Sequence, residues 1–440
     1  MSRPPITPRT LKGFRDYLPA LALPREEMIL AAKGVFRTFG FAPIDTPALE
    51  YTEILLGKGG EESDKQLYRF RDSGDRDVAL RFDLTVPLAR FMAQHSGELG
   101  TPFKRYHVGP VWRGENPQAG RYREFLQCDF DVIGTESPLA DAEIALVIHQ
   151  LFVALGFERF TIHLNDRRVL NGLLERLELS DQSEAVLRAL DKLAKIGPDK
   201  VTEEMAATAG ASPSQAAEVL RMAALTGTNE EILESLRPLV AESEIGAVGV
   251  DALGDLLAAA RAGGVVDGRL AIDVSIARGL DYYTGPIYET FLDELPGIGS
   301  CCSGGRYDDL ASLYTKERLP GVGASLGLDR LIKAMEDLGL MESRAAAAPV
   351  FIPLFEATRK LDYLELAAKL RAEGIPVEVY PEARKLGAQL KYADRRGHRF
   401  AVVIGGNEWE AGIAQVKELA TKDSAEVPLS ELGDYLLPRL

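Results

Sequence analysis

FKRYHVGPVWRGENPQAGRYREFLQCDFDVI, residues 103–133, holds two apolar-rich runs on either side of a polar loop. Phe103–Arg113 and Tyr122–Ile133 read as strands, and the intervening GENPQAGR, rich in Gly, Pro and Asn, reads as a mobile, surface-exposed connection. In FLQCDFDV, alternation with a period of two sets Gln127, Asp129 and Asp131 on one face and Leu126, Cys128, Phe130 and Val132 on the other. A strand with one wet face has this pattern. So does the floor of a polar pocket, where an amide and two carboxylates suit a small ligand carrying amine and imidazole donors. Around the loop, Arg113, Glu115, Arg121, Tyr122, Arg123 and Phe125 fit a triphosphate site, with guanidinium groups for phosphate oxygens and an aromatic ring to stack on a base.

Upstream, RFDLT offers Asp83 and Thr85, an acceptor pair that equally suits capping of the helix expected over Leu84–His95. A helix over Arg25–Thr38, a strand from Ala42 to Pro47, and a hairpin of Leu67–Arg71 with Val78–Phe82 around SGDRD make residues 1–167 a mixed α/β segment. Residues 168–265 change character: SEAVLRALDKLAKI and PSQAAEVLRMAAL carry helical periodicity and mark a separate insertion. Strand patterns return at Leu270–Ile276 and Ile287–Leu292, within a segment spanning 266–340. There RGLDYYTG (278–285) sets Arg278 ahead of Tyr282 and Tyr283, and Gly304 and Gly305 of SGGRYDDL mark a turn. A helix over Gly323–Leu338 opens with glycines before Arg330. MESRAAAAP (341–349) is a linker. Residues 350–440 alternate VFIPLF, a helix over Arg359–Glu373, IPVEVY, a helix over Leu386–Arg396 and FAVVIGG, the pattern of a small, largely parallel α/β domain.

At 440 residues the chain exceeds one typical domain, and roughly two to four are expected. No apolar run approaches the ~20 residues that span a bilayer, and MSRPPITPRTLKGFRDYLP lacks an apolar core of signal-peptide length, so neither membrane insertion nor export is expected. The three cysteines cannot frame a fold of this size and share no metal-ligand spacing with the five histidines. A reducing, cytoplasmic setting without a protein-held metal follows. The net charge of −15 does not exclude a nucleic-acid partner, because phosphate binding needs a local basic surface rather than a basic total. Two stretches are locally basic: 105–123, with Arg105, Arg113, Arg121 and Arg123, and 384–399, with Arg384, Lys385, Lys391, Arg395, Arg396 and Arg399 against Asp394. There is no GxxxxGK[ST] loop, no GxGxxG after a strand, and no Ser–His–Asp or Cys–His set. The chemistry expected is phosphate and amine binding rather than covalent catalysis.

In this order along the chain, KGFRDYLP (12–19), PIDTPALE (43–50), WRGE with GRYREF (112–125), RGLDYYTG, SGGRYD (303–308) and GVGASLGLDRL (321–331) resemble the histidyl-tRNA synthetases, a class II aminoacyl-tRNA synthetase family. PIDTPALE is similar to motif 1, WRGE…GRYREF to motif 2 and GVGASLGLDRL to motif 3, while RGLDYYTG and SGGRYD are similar to the two histidine-specific signatures. The resemblance implies an α+β fold: an antiparallel-sheet catalytic domain, a helical insertion that embraces the tRNA acceptor arm, and a C-terminal α/β anticodon-binding domain. It also implies a homodimer formed through motif 1, ATP delivered with Mg2+, and L-histidine and tRNA-His as partners.

Carried onto this chain, the resemblance gives Asp83, Thr85 and Gln127 the histidine α-amino group. Asp131, which stands where many members have Glu, brackets the imidazole with Tyr283, and Tyr282 and Tyr307 lie nearby. Arg113 and Arg278 are the catalytic arginines at the α-phosphate, Arg113 also meeting the histidine carboxylate. Glu115 goes to the adenine amino group, Arg121 to the γ-phosphate, Arg123 to the same motif 2 surface, and Phe125 with Arg330 to the two faces of the adenine. The implied reaction forms histidyl-adenylate and then charges the tRNA 3′ end. Two rivals belong to other classes. One is the histidine-sensing, non-catalytic regulatory subunit of ATP phosphoribosyltransferase, which generally lacks the anticodon domain and departs at catalytic arginines. The other is an ATP-dependent ligase for another amino acid, against which RGLDYY and GGRYD stand.

Overall fold

Phe103–Trp112 and Glu124–Ile133 pair antiparallel in one register, from Phe103 opposite Ile133 to Trp112 opposite Glu124. The Trp112 indole N–H donates to Glu124 Oε2 at 2.7 Å and closes the open end of this hairpin. The computed structural model describes residues 6–56, 66–117, 122–276, 282–341 and 346–440. The chain divides into two units. One joins the residues up to Arg15 to Met28–Leu340; the other joins Asp16–Glu27 to Met341–Leu440.

The strands of the first unit are Ala42–Pro43 (β1), Leu49–Tyr51 (β2), Arg69–Arg71 (β3), Asp77–Leu80 (β4), Phe103–Trp112 (β5), Glu124–Ile133 (β6), Phe160–Asp166 (β7), Leu270–Ile272 (β8), Pro286–Leu292 (β9), Cys302–Tyr307 (β10) and Gly321–Leu326 (β11). Eight of them form one sheet in the order β1-β5-β6-β11-β10-β9-β7-β8. It is antiparallel throughout except at its two edges, where β1 runs parallel to β5 and β8 to β7. β2, β4 and β3 make a small antiparallel sheet beside it.

Alternation along β5 and β6 gives the large sheet two unlike faces. On one face Tyr106 and Phe130 are buried against Phe36 of the helix Pro19–Thr38, with ring centroids 5.3 and 5.1 Å away. On the other face stand Arg105, His107, Gln127, Asp129 and Asp131. Between β7 and β8 the chain is helical from Arg167–Arg176 to Glu244–Ala262. Two of these helices start at capping boxes, Ser212 with Gln215 and Thr228 with Glu231, in which side chain and backbone satisfy each other's orphan N–H groups.

Motif 3 departs from the helix expected over Gly323–Leu338. GVGASL is strand β11, and the helix is Leu328–Asp337. Gly304 and Gly305 likewise lie within β10 rather than in a turn. The reason is space: a Cβ on Gly304 would come within 2.1 Å of the Gly323 carbonyl oxygen and 2.5 Å of Ala324 Cα. Glycine is needed here for strand-to-strand approach.

The second unit contains Val350–Ile352 (β12), Val377–Val379 (β13), Phe400–Val403 (β14), Ile413–Glu418 (β15) and Ser424–Pro428 (β16), in the order β13-β12-β14-β15-β16. β12 is parallel to both neighbours, but β14, β15 and β16 are mutually antiparallel, so the expected largely parallel sheet is mixed. The chain folds back at Glu418–Asp423 as a hairpin, with no crossover helix to reverse it. Helices Lys360–Ala372 and Leu386–Arg396 flank the sheet sequence, and Val350, Ile352, Tyr363, Leu370, Phe400 and Val402 fill its core.

Gly304→Ala is expected to cost about 1–3 kcal/mol by overpacking, read as a lower urea midpoint. Gly297→Ala, where a Cβ meets nothing within 4 Å, is expected to stay within about 0.5 kcal/mol of the parent.

Candidate active site

Strand register builds the floor of the site. Arg105, Asp131, Gly323 and Gly305 stand side by side across β5, β6, β11 and β10. The next row reads His107, Asp129, Ser325, Ser303 and, on β9, Glu289. The glycines of the first row admit neighbours that any side chain would strike: a Cβ on Gly323 would lie 2.1 Å from Asp131 Oδ1, and one on Gly305 3.0 Å from the Tyr283 ring.

Two cavities open on this face and share a wall of Arg113, Gln127, Ser303 and Ser325. The smaller holds about 110 Å³, and Asp83, Thr85, Asp131, Tyr282, Tyr283 and Tyr307 line it, as does Asp129. Tyr282 stands edge-on to both Tyr283 and Tyr307, at 5.3 and 5.9 Å. The larger cavity, about 270 Å³, is lined by Glu115, Tyr122, Phe125, Asp329 and Arg330 beyond the shared wall.

The small cavity is crowded with acceptors. Asp131 Oδ1 accepts from the Tyr307 hydroxyl at 2.6 Å, and its Oδ2 lies 2.8 Å from Nη2 of the wholly buried Arg105. The same Nη2 donates to the Leu84 carbonyl at 3.2 Å. Asp83 Oδ1 accepts the Val86 N–H at 3.1 Å and so secures the start of helix Thr85–Leu99. Gln127 Nε2 donates to Ser325 Oγ at 3.3 Å. Asp83 Oδ2, Gln127 Oε1 and Asp129 Oδ1 are buried with no hydrogen-bond donor among the described residues. Burial pushes the Asp83 carboxyl up to about 6 and Asp129 up to about 7, with Arg113 and Arg105 opposing at Asp83 and Arg105 at Asp129. Asp131 is also raised by burial, against the pull of Arg105 and Tyr307.

In the large cavity, the Arg113 guanidinium carbon sits 5.1 Å from the Phe125 ring centroid, and its Nε donates to the Phe82 carbonyl at 3.0 Å. Glu115 Oε1 lies 3.9 Å from Arg113 Nη1. Arg330 bonds the Ser300 carbonyl. Arg123 lines neither cavity; its Nε donates to the Glu115 carbonyl at 2.9 Å and its backbone N–H to Gly13. Arg121 and Arg278, with most of RGLDYYTG and part of the 114–121 loop, lie outside the described residues.

Two residues change meaning in three dimensions. Arg105 is no part of a basic surface; it is the internal counter-ion of the carboxylates. Arg15 braces two residues that line the large cavity, stacking 4.0 Å over the Tyr122 ring, donating to its hydroxyl at 2.9 Å and pairing with Asp329. An arginine between Phe14 and Asp16 carries no local sign of that contact. In the second unit, Arg384, Lys385, Lys391, Arg395, Arg396 and Arg399 are all exposed on or beside helix Leu386–Arg396. Among the described residues no helix is long and apolar enough to cross a membrane, and no group of three or more His, Cys, Asp or Glu is placed to hold a metal ion.

The pH response of the site follows from its carboxyls. The folded pKa of Asp129, about 7, lies above an unfolded value near 4, so the folded state binds the proton more tightly. That contribution is complete below about pH 4 and lost as pH rises through about 7. Thermal melting of the ligand-free protein from about pH 5 to about pH 8 is expected to fall more steeply in the parent than in Asp129→Asn.

Comparison with known proteins converges on one family. The profile described as histidyl-tRNA synthetase matches residues 13–331, and the anticodon binding domain profile matches residues 350–439. The chain is 60% identical to a histidine–tRNA ligase of Rhodopirellula baltica over 98% of both chains. The crystal structure of histidyl-tRNA synthetase from Nostoc sp. PCC 7120 superposes with a TM-score of 0.90 at 35% identity, covering 99% of this chain and 100% of that one. A Bacillus halodurans structure, named as an ATP phosphoribosyltransferase regulatory subunit/histidyl-tRNA synthetase, has a TM-score of 0.74 over 88% of this chain and 97% of its own; at 23% identity it shows the fold alone. By profile, sequence and structure, the chain belongs to the histidyl-tRNA synthetase family.

Proposed function

We infer that this chain is a histidine–tRNA ligase, which activates L-histidine with ATP to histidyl-adenylate and passes the histidyl group to the 3′ end of tRNA-His, releasing pyrophosphate and AMP. The observation that carries this is a small cavity with surplus buried acceptors, Asp83 Oδ2, Gln127 Oε1 and Asp129 Oδ1, opening across Arg113 onto a larger cavity with Phe125 and Arg330. Buried acceptors without donors call for a ligand rich in N–H groups, and an ammonium plus an imidazole supplies them.

Asp83, Thr85 and Gln127 take the α-ammonium, and Asp131 with Tyr283 frames the imidazole, backed by Tyr282 and Tyr307. Asp83 can do this while anchoring its helix, because it uses a different oxygen for each task. Arg113, on the wall common to both cavities, meets the histidine carboxylate and the α-phosphate, and Arg278 joins it there. Phe125 and Arg330 hold the adenine, Glu115 its amino group, and Arg121 and Arg123 serve the motif 2 phosphate surface. ATP arrives with Mg2+ as substrate. The carboxylate attacks the α-phosphorus in line, pyrophosphate leaves, and the terminal ribose hydroxyl of the tRNA then attacks the adenylate carbonyl. Arginines positioned in advance stabilise the charge that builds on phosphate oxygens, the main lever in such transfers.

The 116–120 loop meets the acceptor end of the tRNA, the helical segment embraces its acceptor arm, and the exposed basic helix of the second unit meets the anticodon region. A cytoplasmic homodimer built through PIDTPALE completes the picture. Arg113, Arg278 and Arg330 together with an anticodon-type second unit favour the ligase over the histidine-sensing regulatory subunit.

Amino-acid-dependent ATP–pyrophosphate exchange is the test. Exchange is expected with histidine alone among the twenty amino acids, and Arg113→Ala is expected to lower it about 10²–10³-fold. Exchange with a different amino acid would overturn the specificity. Histidine binding without any exchange would favour the regulatory reading.

A further inference from the structure

Asp129 has no task in the assignment above, although it sits in the middle of the cavity floor. Gln127 and Asp131 flank it on the same face of β6. It is 2% exposed, and its Oδ1 has no donor among the described residues. Ser325, its cross-strand neighbour on β11, hydrogen-bonds the carboxyl.

Asp131 is more heavily engaged. Its Oδ1 is occupied by the Tyr307 hydroxyl and lies over Gly323, and its Oδ2, though without a hydrogen-bond donor among the described residues, is ion-paired with Arg105 Nη2 at 2.8 Å. A bound imidazole would have to displace or share one of these partners. Asp129 Oδ1 needs no such exchange, and a buried carboxylate oxygen left without a donor is costly. Asp129 also lines the same cavity as Tyr282, Tyr283 and Tyr307.

We propose that Asp129 is a further specificity-determining residue, whose Oδ1 accepts the imidazole N–H of bound histidine beside Asp131, which is tied to Tyr307 and Arg105. This rests on the reading of the small cavity as the histidine site. In its ionised form Asp129 only accepts, and a phenol can donate, so Asp129 and Tyr283 on opposite ring nitrogens select one neutral tautomer of the imidazole. Rings lacking an N–H leave Asp129 unpartnered and are rejected for that reason.

Asp129→Asn keeps size and shape while removing the anionic acceptor. Histidine binding by calorimetry and steady-state ATP–pyrophosphate exchange are measured on the full chain, with Asp131→Asn alongside. Asp129→Asn is expected to raise both the histidine Kd and the histidine KM by about tenfold to a hundredfold. The KM for ATP and the circular dichroism spectrum are expected to stay at parent values, which separates lost recognition from lost folding. A histidine Kd and KM within about twofold of the parent overturn the proposal, because a hydrogen bond to a buried charge is worth more than that. A rise in the ATP KM of the same size as that for histidine also overturns it in favour of a general structural role. A parent chain that neither binds nor activates histidine overturns the underlying reading and this proposal together. A parent that does both, beside an unaffected Asp129→Asn, overturns this proposal alone.

Discussion

Arg105 and Asp131 face each other across β5 and β6, 2.8 Å apart, with 0% and 4% of their side chains exposed. Burying a guanidinium and a carboxylate removes both from water, and that loss is recovered only when every remaining donor and acceptor finds a partner. Here it is not: Arg105 Nε and Nη1 have no hydrogen-bond partner among the described residues. The pair is therefore a poor device for stability. Its value lies in the field it sets. Asp83 and Asp129 are also drawn toward their charged forms by Arg105, with Arg113 the stronger cation at Asp83, so two arginines make three neighbouring carboxyls tolerable in one pocket.

The same economy appears at the larger cavity. Arg15, Tyr122 and Asp329 come from the N-terminal segment, the hairpin loop and the last helix of the first unit, and they lock together by stacking, hydrogen bond and charge. Arg123 adds a second tie, from the loop to Gly13. A nucleotide-sized space is thereby walled by segments far apart in sequence, held by contacts whose partners are all polar. The Arg15–Asp329 pair leaves only 24% and 7% of its side chains exposed, so it holds these walls more firmly than a solvated surface pair would.

Much of the site was legible because a strand has a period of two. Gln127, Asp129 and Asp131 share a face in β6 as the alternation requires, and Asp83 both anchors a helix and faces the pocket. The hairpin flanking GENPQAGR and the helix Leu386–Arg396 follow from equally local signals. What local reading missed has a common cause, which is crowding between elements distant in sequence. Glycines at 304, 305 and 323 look like turn or helix-opening signals, yet they sit in strands because neighbours from β6, β9 and β11 occupy the space a side chain would take. Arg105 looked solvated because its burial is set by Asp131, twenty-six positions on. The β15–β16 hairpin went unseen because its strands pair at the edge of a sheet, with few buried positions to make a pattern.

The glycine pair Gly323 and Gly305, overlain by Asp131 and Tyr283, gives the pocket an asymmetric capacity for redesign. Its depth is fixed by backbone, since nothing smaller than a hydrogen can be installed where glycine already stands. A methyl at Gly323 runs into the Asp131 carboxyl and one at Gly305 into the Tyr283 ring, whereas enlarging the pocket demands that β10 and β11 move relative to β6. Variation at these positions can thus prune the range of accepted amino acids but cannot widen it, and any broadening of substrate scope has to come from the tyrosines overhead.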